Sequence, residues 1–180
     1  MIFISAGHTP NGLKKDPGAS GNGYTEAGLA VEQRDLTTAE LKLHGAKFIT
    51  DNDDERLGDY LSRIQTGSGS VVLEFHFDAF NGVASGCTCL VGDDADRLDK
   101  AFAKELVDIT ALILEIPNRG VKQEKDSDRG KLGLMRETGT VALLELCFID
   151  NKSDVEKWQA KKAILAKEYA KLLVKYEAFV

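Results

Sequence analysis

Two apolar runs constrain the fold of this chain more than anything else in it. Ser70-Val-Val-Leu-Glu-Phe-His-Phe77 and Val141-Ala-Leu-Leu-Glu-Leu-Cys-Phe148 are nearly uninterrupted. Runs of that length suit strands covered on both faces, the signature of a parallel sheet. Each carries one expensive exception. Glu145 sits inside Leu-Leu-Glu-Leu-Cys-Phe and His76 between Phe75 and Phe77. A carboxylate or imidazole in such a place almost never stands unpaired.

The elements around these runs alternate. Ile2-Phe-Ile-Ser5 and Ala46-Lys-Phe-Ile-Thr50 read as strands, and Cys87-Thr-Cys-Leu-Val91 as another. Between the first two, a helix is predicted from about Thr25 to His44, with Leu29, Leu36 and Leu43 on one stripe and Gly45 as its cap. A second helix carries Leu57, Leu61 and Ile64. A third follows from Leu98, Phe102, Leu106, Ile109 and Ile113, which step by three and four, and it ends before Pro117. Positions 122–130 read as a charged loop. A capping box, Ser153-x-x-Glu156, is predicted to open the last helix. Together these imply an α/β fold: a single domain over 1–180, with a twisted, mostly parallel β-sheet and helices on both faces.

Composition narrows the function. A net charge of -6 argues against a nucleic-acid partner. No apolar run approaches a membrane span, so no membrane insertion is expected. Three cysteines, Cys87, Cys89 and Cys147, do not describe a disulfide framework and read as small buried side chains.

Ligands of parallel α/β sheets bind beyond the carboxyl ends of the strands. His8 follows the first strand, His76 ends the third, Glu145 nears the end of the last, and Glu26 opens the first helix at that same edge. Two imidazoles and one carboxylate form a common ligand set for a catalytic zinc, and a further carboxylate could handle protons. No His-Glu-x-x-His string, phosphate-binding loop or dinucleotide fingerprint is present.

The strings themselves complete the picture: Gly7-His8, Asp16-Pro-Gly-Ala19, Glu26, Arg63, Glu74-Phe-His76-Phe-Asp78 and Glu145-Leu-Cys-Phe148-Ile-Asp-Asn151. With them the chain resembles the zinc-dependent N-acetylmuramoyl-L-alanine amidases of the type-3 family, over nearly its whole length. The resemblance implies one Zn2+ ion held by His8, Glu26 and His76, with Glu145 as the catalytic carboxylate. It implies a peptidoglycan (muropeptide) substrate, cut between the lactyl group of N-acetylmuramic acid and L-alanine. Glu32, less than two turns along the same helix, competes with Glu26, which matches the motif. Glu74 and Asp78 depart from the family pattern and are candidates to orient His76 or touch substrate. Arg63, part of the matching strings, and Arg136 are further candidates to support the ligands or touch substrate, and Arg136, Arg129 and Lys131 are candidates for stem-peptide carboxylates.

Competing readings keep the four residues but change the outcome: a zinc peptidase or amidohydrolase acting on another amide, or a wall-binding domain that has lost catalysis. The start Met1-Ile-Phe-Ile-Ser-Ala lacks the pattern of an export signal. The expectation is synthesis in the cytoplasm and action on the cell wall, as for a phage or prophage endolysin without a separate wall-binding domain.

Overall fold

The two apolar runs become the two central strands of the sheet. In the computed structural model, which describes residues 1–13, 15–127 and 129–179, they are β5 (Val71–Asp78) and β8 (Thr140–Phe148). These lie side by side and parallel, with His76 directly abreast of Glu145. On the far side of β5 come β1 (Ile2–Ala6) and the edge strand β4 (Phe48–Thr50), both parallel to it. Beyond β8 come β6 (Cys87–Val91) and the other edge, β7 (Asn118–Gln123). β6 runs antiparallel to β8, and β7 is parallel to β6. The sheet is therefore mostly parallel, with one reversed pair at its end. Ser20–Gly21 (β2) and Tyr24–Thr25 (β3) form a small separate hairpin.

Three long helices cover one face: α1 (Glu26–Leu43), α3 (Arg97–Leu114) and α4 (Lys152–Glu177). They pack on Ile4, Leu73, Phe75, Leu144 and Leu146, all without solvent exposure. Trp158 of α4 is fully buried there. Its Nε1 donates to Oε1 of Gln33 on α1 at 2.8 Å, and its ring meets Phe77 edge-on at 5.1 Å. Burying each such side chain contributes roughly 1.5–3 kcal/mol. The opposite face has far less cover. One short helix, α2 (Leu57–Arg63), and the 3-10 turn Gly133–Arg136 meet Phe3, Val72, Val141 and Leu143.

Two expectations need correction. The segment after Pro117 is the strand β7, and two 3-10 turns follow it where a plain loop was predicted. Asp128 of the 122–130 stretch lies outside the described residues. The last helix starts two residues before the predicted capping box: Asn151 is its cap and accepts from the Asp154 N–H at 3.2 Å. The predicted glycine cap of α1 is present: Gly45 follows His44 with φ +67°, its N–H donating to the Lys42 carbonyl and that of Ala46 to the Leu41 carbonyl. All three cysteines are free and buried, as expected.

Candidate active site

The unevenness of the two faces leaves a cleft on the thin one. Its volume is about 990 Å3, and His8, Glu26, His76 and Glu145 all line it. Each arrives from a different element. β1 ends at Ala6, and the chain turns at His8, which takes φ +68°, a conformation uncommon for any side chain but glycine. Thr25 caps α1 by accepting from the Gly28 N–H, setting Glu26 at the first helical position. Strand alternation then turns Glu74, His76 and Asp78 of β5 to the cleft, with Glu145 beside them on β8.

Glu26 stands between the imidazoles. Its Oε1 is 2.8 Å from Nδ1 of His76, and its Oε2 is 3.1 Å from Nε2 of His8. One donor atom from each of the three residues lies within 4.8 Å of the other two. The Ala19 and Phe77 N–H groups donate to the same carboxylate and fix its orientation. The outer nitrogen of each ring is also claimed. Nδ1 of His8 pairs with Asp16 at 2.9 Å, and Nε2 of His76 with Glu74 at 2.9 Å. Glu74 is buried and accepts a further hydrogen bond from the Ser5 hydroxyl at 3.0 Å. A carboxylate behind each histidine selects which ring nitrogen faces the cluster, the usual arrangement behind metal-ligating imidazoles.

Two glycines allow this crowding. A Cβ on Gly7 would lie 2.4 Å from the His76 ring. One on Gly18 would lie 2.6 Å from both Glu26 Oε2 and the His8 ring, at φ +64°. The glycine-rich loop thus serves close approach as well as turning.

The charges of the cluster are strongly coupled. Burial would lower the His76 pKa, but the bonds to Glu26 and Glu74 outweigh it and hold it well above its ordinary value. His8 is likewise raised by Glu26 and Asp16 against its burial. Burial would raise Glu26, yet both imidazoles hold its pKa well below the usual carboxylate range. The carboxylates thus favour positive charge at the rings, and a divalent cation held by the inner atoms would meet the same demand. The donor set fits such an ion. Burial, with the Glu26 charge adding to it, pushes Glu145 up to about 7. Its Oε2 is shielded from solvent and has no hydrogen-bond partner among the described residues.

Not every candidate reaches the cleft. Glu32 pairs with Lys162 of α4, leaving Glu26 as the helix carboxylate at the cluster. Arg63 is spent on Glu55 and the Thr50 carbonyl and does not line the cleft. Arg136 is exposed in its 3-10 turn and also lies off the lining. Asp78 lines the cleft, with its Oδ1 accepting from the Ala79 N–H. Arg129 lines it too, and so does Lys131, although Lys131 is tied to Asp93 and Glu124. Sequence reasoning assigned no role to Asp16 beyond its place in a motif string.

Fold and site together define an α/β domain with a cation-ready cleft above the carboxyl ends of its parallel strands. Over residues 2–175 the chain matches the N-acetylmuramoyl-L-alanine amidase family, and it belongs to that family. Among curated protein sequences none matches it. Solved structures share its fold. Cwp6 from Clostridium difficile superposes with a TM-score of 0.77 at 22% identity, and the match covers 97% of this chain and 29% of Cwp6. AmiC2, an N-acetylmuramoyl-L-alanine amidase of Nostoc punctiforme, gives 0.77 at 19% identity, covering 97% and 95%. The catalytic domain of the CD27L endolysin, which targets Clostridia difficile, gives 0.70 at 20% identity, covering 98% and 96%.

Proposed function

We propose that this member of the amidase family cleaves peptidoglycan at the amide joining the lactyl group of N-acetylmuramic acid to L-alanine. In this reading His8, Glu26 and His76 hold one zinc ion, and Glu145 handles the proton. The observation that carries it is the three-donor cluster, with its atoms within 4.8 Å, beside a carboxylate oxygen that lacks a partner. Two imidazoles and a carboxylate suit zinc and leave room in its coordination for water or substrate.

Held by His8, Glu26 and His76, a zinc ion would supply Lewis acidity toward the scissile carbonyl and make water a better nucleophile at neutral pH. The chain supplies the rest. Asp16 and Glu74 keep the N–H of each imidazole turned outward, so that His8 Nε2 and His76 Nδ1 are the donors. Glu145 Oε2 takes a proton from the attacking water and returns it to the departing L-alanine nitrogen. Burial pushes the Glu145 pKa upward, which suits a carboxyl that must both accept and release a proton. The cell wall is where such a substrate lies. No helix among the described residues is long and apolar enough to cross a membrane.

The test is digestion of purified peptidoglycan with and without a chelator, following products by mass. Free peptides beginning with L-alanine, lost on chelation and restored by zinc, are the expected result. Products cut within the stem peptide would move the chain to the peptidases and overturn the bond assignment.

A further inference from the structure

The floor of the cleft extends well beyond the histidine cluster. Register places Glu74, Leu143, Leu90 and Lys122 abreast on β5, β8, β6 and β7. Neighbours in register share a face of the sheet. Lys122, half-buried, therefore projects on the cleft side, and it lines the cleft. From Glu74 to Lys122 is three strand spacings, roughly 14 Å at about 4.8 Å each. An extended peptide rising about 3.3 Å per residue would span that floor in roughly four residues.

The two ends of this floor differ in charge. Around the cluster Asp16, Glu26 and Glu74 are each taken up by an imidazole, and Glu145 stands beside them, so that end offers a peptide carboxylate no free cationic side chain. At the other end, Lys131 is already neutralised by Asp93 and Glu124. Lys122 forms no ion pair among the described residues and lines the same cleft as Arg129, with Asp126 and Asp78 as the acids nearby; Asp78 feels the Lys122 charge without bonding to it. The middle is apolar, floored by Leu90 and Leu143.

We propose that the stem peptide lies across β8 and β6 from the cluster toward β7, and that Lys122 selects stems with free carboxylates over amidated ones. This rests on the function proposed above. It adds a direction to the bound substrate: the peptide leaves over the reversed strands, and the sugar lies on the β1 side, beside the loop that carries His8. Lys122 is a specificity residue. It takes no part in handling the proton.

The experiment compares two soluble muramyl peptides that differ only in whether the stem carboxylates are free or amidated. The wild-type protein should cleave the free form with the lower KM. Lys122→Ala should lower kcat/KM for the free form roughly tenfold, through KM, the scale of one charged hydrogen bond. It should leave the amidated form unchanged, and Lys122→Arg should restore most of the loss. Equal cleavage of both forms by wild type, or an equal effect of Lys122→Ala on both, would overturn the inference while leaving the amidase reading intact. Cleavage of neither form by wild type, with zinc present, would overturn both.

Discussion

Toward α1, α3 and α4 the central strands present Leu73, Phe75, Phe77, Leu144 and Leu146, none exposed by more than 1%. Toward the cleft the same strands present Glu74, His76 and Glu145. A single residue step along a strand thus separates a dry apolar core from a cluster of charges. The thick face carries the burial energy. The thin face can then hold groups that cost stability: an imidazole among carboxylates, a shielded oxygen without a partner, and a histidine at positive φ. Substitutions on the two faces should accordingly fail in different ways.

The largest effect is expected from His76→Ala. Removing one of three donors should abolish both zinc retention and turnover, measured by metal analysis after dialysis and by release of L-alanine-terminated peptides. Retained activity would remove His76 from the site. Glu145→Ala should keep zinc but lower turnover by about a hundred- to ten-thousandfold, the range for a lost proton-transfer group. Because it deletes a buried oxygen with no partner, its thermal midpoint should not fall. A variant that lost both turnover and stability would put Glu145 in the core and blur the contrast between faces. Trp158→Ala probes the thick face. It should cost about 3–5 kcal/mol of unfolding free energy in denaturant melts, as large core truncations do. At temperatures where the variant stays folded, kcat should be near that of wild type.

The same contrast decides what could be read from the sequence. α3 shows its periodicity plainly, and β5 and β8 announce themselves as apolar runs. His76 and Glu145 stand out because those runs make any polar residue costly. β7 is hidden for the opposite reason. Asn118-Arg-Gly-Val-Lys-Gln123 is a polar edge strand, and its pairing with β6 decides its state more than its own propensity does. With β7 read as loop, Lys122 could not be placed on the cleft face. The start of α4 is misplaced because two capping residues lie within three positions, and Asn151, not Ser153, accepts from a first-turn N–H, that of Asp154. The Asp154 side chain in turn accepts from Ser85, Gly86 and Phe148, tying that first turn to the loop after β5 and to the end of β8. Asp16 reaches His8 only because the loop folds back through a bridge between Thr9 and Asp16, a contact with no periodic signal.

The smallest effects should come from the carboxylates behind the imidazoles, and their order tests whether burial sets their weight. Glu74 and Asp16 make equivalent bonds to outer ring nitrogens, each 2.9 Å long. Their surroundings differ: the Glu74 side chain is 2% exposed and that of Asp16 is 60% exposed. Glu74→Gln keeps an oxygen to accept from His76 and an amide that can meet the Ser5 hydroxyl, so it removes charge with little change of shape. Loss of a buried partner of this kind typically weakens metal binding by about ten- to a hundredfold, the effect expected here. Asp16→Asn makes the same change in solvent, where water screens the charge, and should cost about tenfold or less. Zinc affinity by competition with a chelating dye measures both without reference to turnover. Equal losses would mean that the hydrogen bond, and not the buried charge, sets the donor strength of each histidine. A larger loss at Asp16 would make the His8 turn the weaker support, as its positive φ would then require.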